Sequence, residues 1–221
     1  MSVEQGRKVV MGRSSRDLTA TNFVNFSLGL LTIFGLAACD IPATSPQTDR
    51  ASLAPPPMLW DHRPEAADWT TATLVAVSTK DASLAAFVPG DIDAWCPGYP
   101  QADLADRRAF WVGLLSAVAR YESSWNPTAA GGGGRWIGLM QISPRSASGY
   151  GCAATSAKAL QDGSANLQCA VEIMADQVGK DGLVAGPGNR GIGRDWMPLR
   201  DADKRAEMSG WTRAQPYCTN G

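Results

Sequence analysis

Between Asp103 and Pro127 the chain reads as one buried helix that ends on an acid. Phe110, Leu114, Val118 and Glu122 recur at i, i+4, i+8 and i+12, and Trp111, Leu115 and Ala119 widen the stripe. Asp106, Arg107 and Arg108 give the segment a polar start. Pro127 stops it, because the residue before a proline avoids the α region. Glu122 therefore falls in the last turn, on the buried face. A carboxyl group there is out of pattern, since buried acids are rare unless paired or functional. The bland reading pairs it with Arg120 or Arg135. The other reading keeps it unpaired, where apolar neighbours raise its pKa toward neutrality and make it a proton donor.

The segments that follow are short. Gly131–Gly134 read as a flexible loop, and no Lys-Ser or Lys-Thr pair follows to make it a phosphate cradle. Ile137–Ile142 fits a short extended piece or tight hairpin. Ser143-Pro144 reads as an N-cap and first helical position, with a helix to about Ser148. Ser164 reads as the cap of a helix of about fifteen residues, with Leu167, Val171, Met174 and Val178 as its apolar face and Gly179 and Gly182 at its end. Glu172 is one position off that stripe and reads as a rim carboxylate. Trp196 and Leu199 begin a last helical piece. Upstream, residues 59–90 are ambiguous: Thr70–Thr79 is β-branched enough for a strand, and Ala82–Val88 suits a short helix. The whole reads as a mostly α domain with one short β-hairpin.

Composition narrows the chemistry. A formal net charge of -1 and a pI near 5.8 give no basic field for nucleic acid. The one histidine, His62, lies beside a proline-rich stretch. Zinc amidases and peptidases need several His ligands, and papain-like enzymes need a Cys-His pair, so both are disfavoured. No metal or organic cofactor is implied.

The first residues read as an address. Arg7, Lys8, Arg13 and Arg16 precede an apolar stretch from Phe23 to Leu36, too short for a membrane span of about 20 residues. Leu36-Ala37-Ala38-Cys39 then resembles the bacterial lipobox, which implies a signal peptide over 1–38 and lipidation of Cys39. Asp40 resembles the retention signal for the inner membrane. Residues 39–58, rich in Pro, Thr and Ser, have the composition of a tether. The expected localisation is the periplasmic face of a bacterial membrane. Residues 59–93 read as a variable N-terminal extension and 94–221 as the enzyme domain. Without Cys39, four cysteines remain, which in an oxidising compartment form two disulfides. Three pairings are possible; proximity favours Cys152–Cys169, with Cys96–Cys218 joining the start and end of the domain.

Three pieces of the domain carry a resemblance. They are Glu122-Ser123-Ser124-Trp125-Asn126-Pro127, Gly138-Leu139-Met140-Gln141-Ile142, and Asp162 through Asn166-Leu167-Gln168-Cys169. In this order they resemble the lytic transglycosylases of the soluble and goose-type lysozyme superfamily, over residues 94–218. The resemblance implies a lysozyme-like helical fold and peptidoglycan glycan strands as the partner. It implies Glu122 as the single catalytic acid, then base, cleaving the MurNAc-β-1,4-GlcNAc bond to leave 1,6-anhydro ends. Met140 and Gln141 match family positions that line the substrate groove; Ser123 is a candidate contact beside the acid or a cap of the helix end, and Asn166 matches the third segment's asparagine, a substrate contact or a structural residue. Two departures stand out. Trp136 occupies a position where many members have serine, and it becomes a candidate sugar contact. The late Tyr-Asn-Ala-Gly segment is replaced by Gly188–Gly193, with Tyr150 or Tyr217 left as substitutes. A hydrolytic lysozyme on the same fold, or a non-catalytic wall-binding lipoprotein, are the alternatives. A water-holding acid such as Asp162 or Glu172 beside Glu122 would mark the hydrolase. Oligomeric state, endo or exo action and stem preference stay open.

Overall fold

The computed structural model describes residues 55–219. The segment read as a signal peptide, Cys39, Asp40 and most of the expected tether lie outside the described residues. Within them the chain forms seven α-helices and one two-stranded antiparallel hairpin. No described helix is long and apolar enough to cross a membrane.

Helix α2, Leu104–Ser123, is the axis of the domain, and every residue from Ala109 to Ala119 is buried. Asp103 caps it by accepting from the Asp106 N–H. Its stop is not Pro127. Ser124 turns into the left-handed region (φ 51°) and ends the helix at Ser123.

Helix α1, Ala66–Ser78, runs through the stretch whose composition suits a strand. Its buried residues Trp69, Thr70, Thr73 and Val77 share one helical face. The threonines satisfy themselves there: Thr73 donates to the Trp69 carbonyl (2.6 Å), and Thr70 accepts the Trp60 indole N–H (2.9 Å). Tertiary burial thus overrides β propensity. Ala82–Val88 is a series of turns rather than a helix. Its fully buried residues, Leu84 and Ala85, are adjacent, and Phe87 and Val88 are exposed before Pro89. The Tyr99 hydroxyl accepts from the Trp111 indole and donates to the Leu84 carbonyl, both at 2.9 Å, which locks these turns onto α2.

Strand β1 (Ala130–Gly131) pairs with β2 (Trp136–Ile137), and Ile137 also bridges to Ile142. The glycine run is an ordered turn, with Gly132, Gly133 and Gly134 all at positive φ. Helix α3 spans Pro144–Gly149, capped by Ser143. Helices α4, Ala157–Leu160, and α5, Gly163–Asp181, follow. The α5 cap is Asp162, which accepts from the Ala165 N–H (2.8 Å), not Ser164. The helix passes through Gly179 and ends at left-handed Gly182. Two 3-10 turns, Gly191–Arg194 and Met197–Arg200, lead to α6, Ala202–Arg213, and α7, Pro216–Thr219. The disulfides are Cys96–Cys218 and Cys152–Cys169, as expected.

Candidate active site

Glu122 stands half-buried at the end of α2, and it forms no ion pair among the described residues. Arg120, one of the two partners the sequence offered, pairs instead with Glu207. The guanidinium of Arg135 lies 5.3 Å from the Trp136 ring centre. Burial pushes the Glu122 carboxyl up to about 7, and the Lys204 ammonium pulls it back. A proton donor for chemistry near neutral pH needs such a value.

The backbone around the acid is set by two unusual turns. Among the described residues, three non-glycine positions have positive φ: Ser124, Trp125 and Gln141. All three lie in the two motifs singled out from sequence. A left-handed residue with a side chain costs about 1–2 kcal/mol and persists only where its surroundings hold it. Trp125 is held by its indole N–H, which donates to the Ser116 carbonyl (2.9 Å), and by His62, packed edge-on at 4.6 Å. His62 thus serves as packing for the turn that follows Glu122.

The second motif forms the turn Gly138–Gln141. Gly138 sits at φ 78°, and any side chain there would strike the Leu160 carbonyl and the Asn166 amide. Asn166 is the anchor of this turn. Its Oδ1 accepts from the Met140 N–H (2.9 Å), and its Nδ2 donates to the carbonyls of Ile137 (2.9 Å) and Leu160 (3.0 Å). Gln141 uses its own amide N–H groups on the carbonyls of Gly138 (2.9 Å) and Ala129 (3.4 Å).

These bonds divide the sequence candidates. Met140 and Asn166 have 0% exposure and shape the turn from beneath; neither side chain reaches solvent. Gln141 is half-buried with its donors spent on the hairpin. Ser123 is half-buried and its hydroxyl donates to the Ala119 carbonyl (3.3 Å). Trp136 is 43% exposed, and its ring lies flat against Gly132, where a side chain would collide with it. Trp196 is buried and donates to the Met140 carbonyl (3.0 Å).

Of the two substitute tyrosines, Tyr217 is buried with its hydroxyl toward the Pro57 carbonyl (3.4 Å). Tyr150 is half-buried; its hydroxyl accepts from Gln177 (2.6 Å) and donates to Asp195 (3.2 Å). Asp162 is spent on the α5 cap, and Glu172 is paired with Lys80 (2.6 Å).

Sequence reasoning missed the wall that α6 supplies. Glu207 accepts from the Tyr121 hydroxyl (2.5 Å) and pairs with Arg120, while the Lys204 ammonium lies 5.7 Å from the Tyr121 ring centre. The only sequence signal was the helical spacing of Lys204, Glu207, Met208 and Trp211, which places them on one face but not against Tyr121.

Comparison with known proteins agrees with this fold. No curated protein matches the chain. Three solved structures of Bd0314 DslA do, the wild-type form 2 and two mutants that each replace a glutamate by glutamine. The wild-type structure is 29% identical, with a TM-score of 0.67 over 74% of this chain and 98% of that one. One mutant gives the same values, and the other a TM-score of 0.66 over 73% and 97%. Residues 101–207, from just before the α2 cap to Glu207, match the transglycosylase SLT domain, and the fold they form is the lysozyme-like fold of that domain.

Proposed function

We propose that the chain is a peptidoglycan lytic transglycosylase in which Glu122 acts alone, first as acid and then as base. The observation that carries this reading is an unpaired, half-buried carboxyl with its pKa pushed up to about 7, inside a transglycosylase SLT domain. In the first step Glu122 gives its proton to the oxygen that bridges MurNAc to GlcNAc. The bond from that oxygen to the muramyl C1 breaks, and the GlcNAc side leaves as an alcohol. Positive charge develops at C1, as in other glycosidases, and the muramyl acetamide oxygen stabilises it from within the substrate. Glu122, now a carboxylate beside Lys204, removes the proton from the muramyl 6-hydroxyl. O6 bonds to C1 and closes the 1,6-anhydro ring. No water enters, and Glu122 ends protonated as it began.

A hydrolase needs a held water and usually a second acid. Asp162 and Glu172, the two acids named for that part, are committed to a helix cap and to Lys80. That supports the transglycosylase over the lysozyme. Trp136 is the exposed surface for a sugar ring, and Ser123 stands beside the acid. Met140, Gln141 and Asn166 act by holding the Gly138–Gln141 turn. The N-terminal pattern adds a lipid anchor at Cys39, with the domain at the periplasmic face of the inner membrane.

Mass spectrometry of soluble products tests the reading, using residues 40–221 on purified peptidoglycan with Glu122→Gln in parallel. Anhydro-muramyl products from the wild type alone are expected. Reducing-end products lost in the variant would make the chain a lysozyme, and no product from folded, disulfide-bonded protein would remove the catalytic reading.

A further inference from the structure

Asp91 opens a 3-10 turn, Ile92–Ala94, and lies before the residues that match the SLT domain. Its half-buried carboxylate pairs with no cation among the described residues. It accepts instead from three N–H groups: those of Val184 (2.7 Å) and Ala185 (3.1 Å) and the indole of buried Trp95 (3.3 Å). Bonds to an ionised acceptor are the stronger kind. Val184 and Ala185 belong to the loop after α5. The neighbouring Gly90 N–H donates to the Gly182 carbonyl (2.8 Å), which sets Asp91 against the end of that helix.

That loop needs an anchor. Gly182–Gly193 contains five glycines, each with extra backbone freedom to lose. Its far half is held by Asp181, which accepts from the Gly191 N–H and from Arg194, both at 2.6 Å. Its near half is held by Asp91. From there a line of hydrogen bonds runs unbroken to the second motif. The Val184 carbonyl accepts from the Ile192 N–H (2.9 Å), and a side chain on Gly191 would strike that carbonyl. The Ile192 carbonyl accepts from the Trp196 N–H (3.1 Å), and the Trp196 indole donates to the Met140 carbonyl (3.0 Å). The line ends on the Gly138–Gln141 turn, whose Met140 N–H Asn166 already holds.

We propose that Asp91 is a positioning residue for glycan cleavage: its carboxylate fixes the loop after α5 and, through Ile192 and Trp196, sets the Met140 carbonyl and the Gly138–Gln141 turn. The inference rests on the transglycosylase reading, on which that turn is a wall of the substrate groove. The stretch before the SLT match thus completes the site rather than merely preceding it.

Two measurements test it, and one is blind to catalysis. The chain has eight tryptophans, and the Trp196 indole N–H signal in an NMR spectrum is the one that Trp196→Phe removes. Asp91→Ala deletes all three acceptor contacts. Its Trp196 signal is expected to move upfield, as the bond to Met140 loosens, along with that of Trp95. Asp91→Asn keeps one acceptor for the Val184 N–H; it should show the same movement, smaller, and serves if the alanine variant does not fold. In the second measurement, release of anhydro-muramyl product is timed at a temperature where melting shows each variant folded. Asp91→Ala is expected to slow it about tenfold, the scale of a small misplacement passed on to a site. Trp196→Phe breaks the same line, so the double variant should be no slower than the slower single one, whereas unrelated defects multiply. A Trp196 signal that stays in place while Trp95 moves overturns the inference, as do an unchanged rate or losses that multiply. A wild type that yields no product, with the Trp196 signal still displaced by Asp91→Ala, overturns the enzyme reading instead and leaves the hydrogen-bonded line standing.

Discussion

The Trp196 indole donates to the Met140 carbonyl across 56 positions of sequence, at 3.0 Å, with both side chains buried. That bond ties the turns after α5 to the underside of the Gly138–Gln141 turn. Trp196→Phe keeps most of the ring and orphans the Met140 carbonyl. The expected cost is about 1–3 kcal/mol, read as a lower midpoint in urea unfolding, together with slower cleavage. An unchanged midpoint would show that the bond contributes nothing.

Glu122 carries a cost that depends on pH. Its folded pKa, about 7, lies above the ordinary value of 4.5. The fold therefore favours the protonated form: its contribution is complete below about pH 4.5 and is lost as pH rises through about 7. Glu122→Gln removes that loss. At pH 8.5 the variant should be more stable than wild type by roughly 2 kcal/mol, and at pH 4 the two should coincide. Urea unfolding at both values reads the difference directly, and a gap of equal size at both would point to a cause other than ionisation.

The rate should follow the same group. Cleavage begins from protonated Glu122, so it should decline as pH passes about 7. Among the described residues the charged group that acts on the acid is Lys204 on α6, which lowers the Glu122 pKa. Lys204→Met should move the descending limb to higher pH. A limb that stays in place would remove Lys204 from the acid's surroundings.

Asn166 is predicted to be a keystone rather than a sugar contact. Asn166→Asp keeps the acceptor for the Met140 N–H but sets a carboxylate against the carbonyls of Ile137 and Leu160. With two buried acceptors left unpaired, a loss of roughly 2–5 kcal/mol is expected. Circular dichroism melting measures it; a purely substrate-facing Asn166 would leave the melting curve alone and change only KM.

Ser124 gives a prediction of the opposite sign. At φ 51° it sits where glycine is comfortable. Ser124→Gly should relieve strain and raise stability by about 0.5–1 kcal/mol, read in the same unfolding curves.

Much of this was legible in the chain because local rules and burial agreed. The stripe through Phe110, Leu114 and Val118 and the cap at Ser143 were each written in a few neighbouring residues. The cysteine pairs were favoured by proximity among three allowed pairings, and the structure forms those two. Thr70–Thr79 misled because its β-branched residues are buried on one helical face, and only the surrounding tryptophans decide that. The cap of α5 misled by two positions because Asp162 and Ser164 are equally good capping residues, and Gly163 between them tolerates the first helical turn. At the site, the acid was plain because it broke the apolar pattern. The roles of Met140, Gln141 and Asn166 were not, since polarity alone does not tell a side chain that meets a ligand from one that holds a carbonyl. Lys204 and Glu207 were invisible, being more than eighty positions from Glu122 with no motif of their own.

The bridge between Cys96 and Cys218 spans 122 positions and encloses α2, the hairpin and α6. One exposed run in that span is Gly132–Gly134. A protease that nicks the chain there releases no fragment. The helix bearing Glu122 stays covalently joined, through sulfur, to the half bearing Gln141 and Lys204. A single cut at the tip of the hairpin would leave the oxidised molecule whole and separable only by reductant.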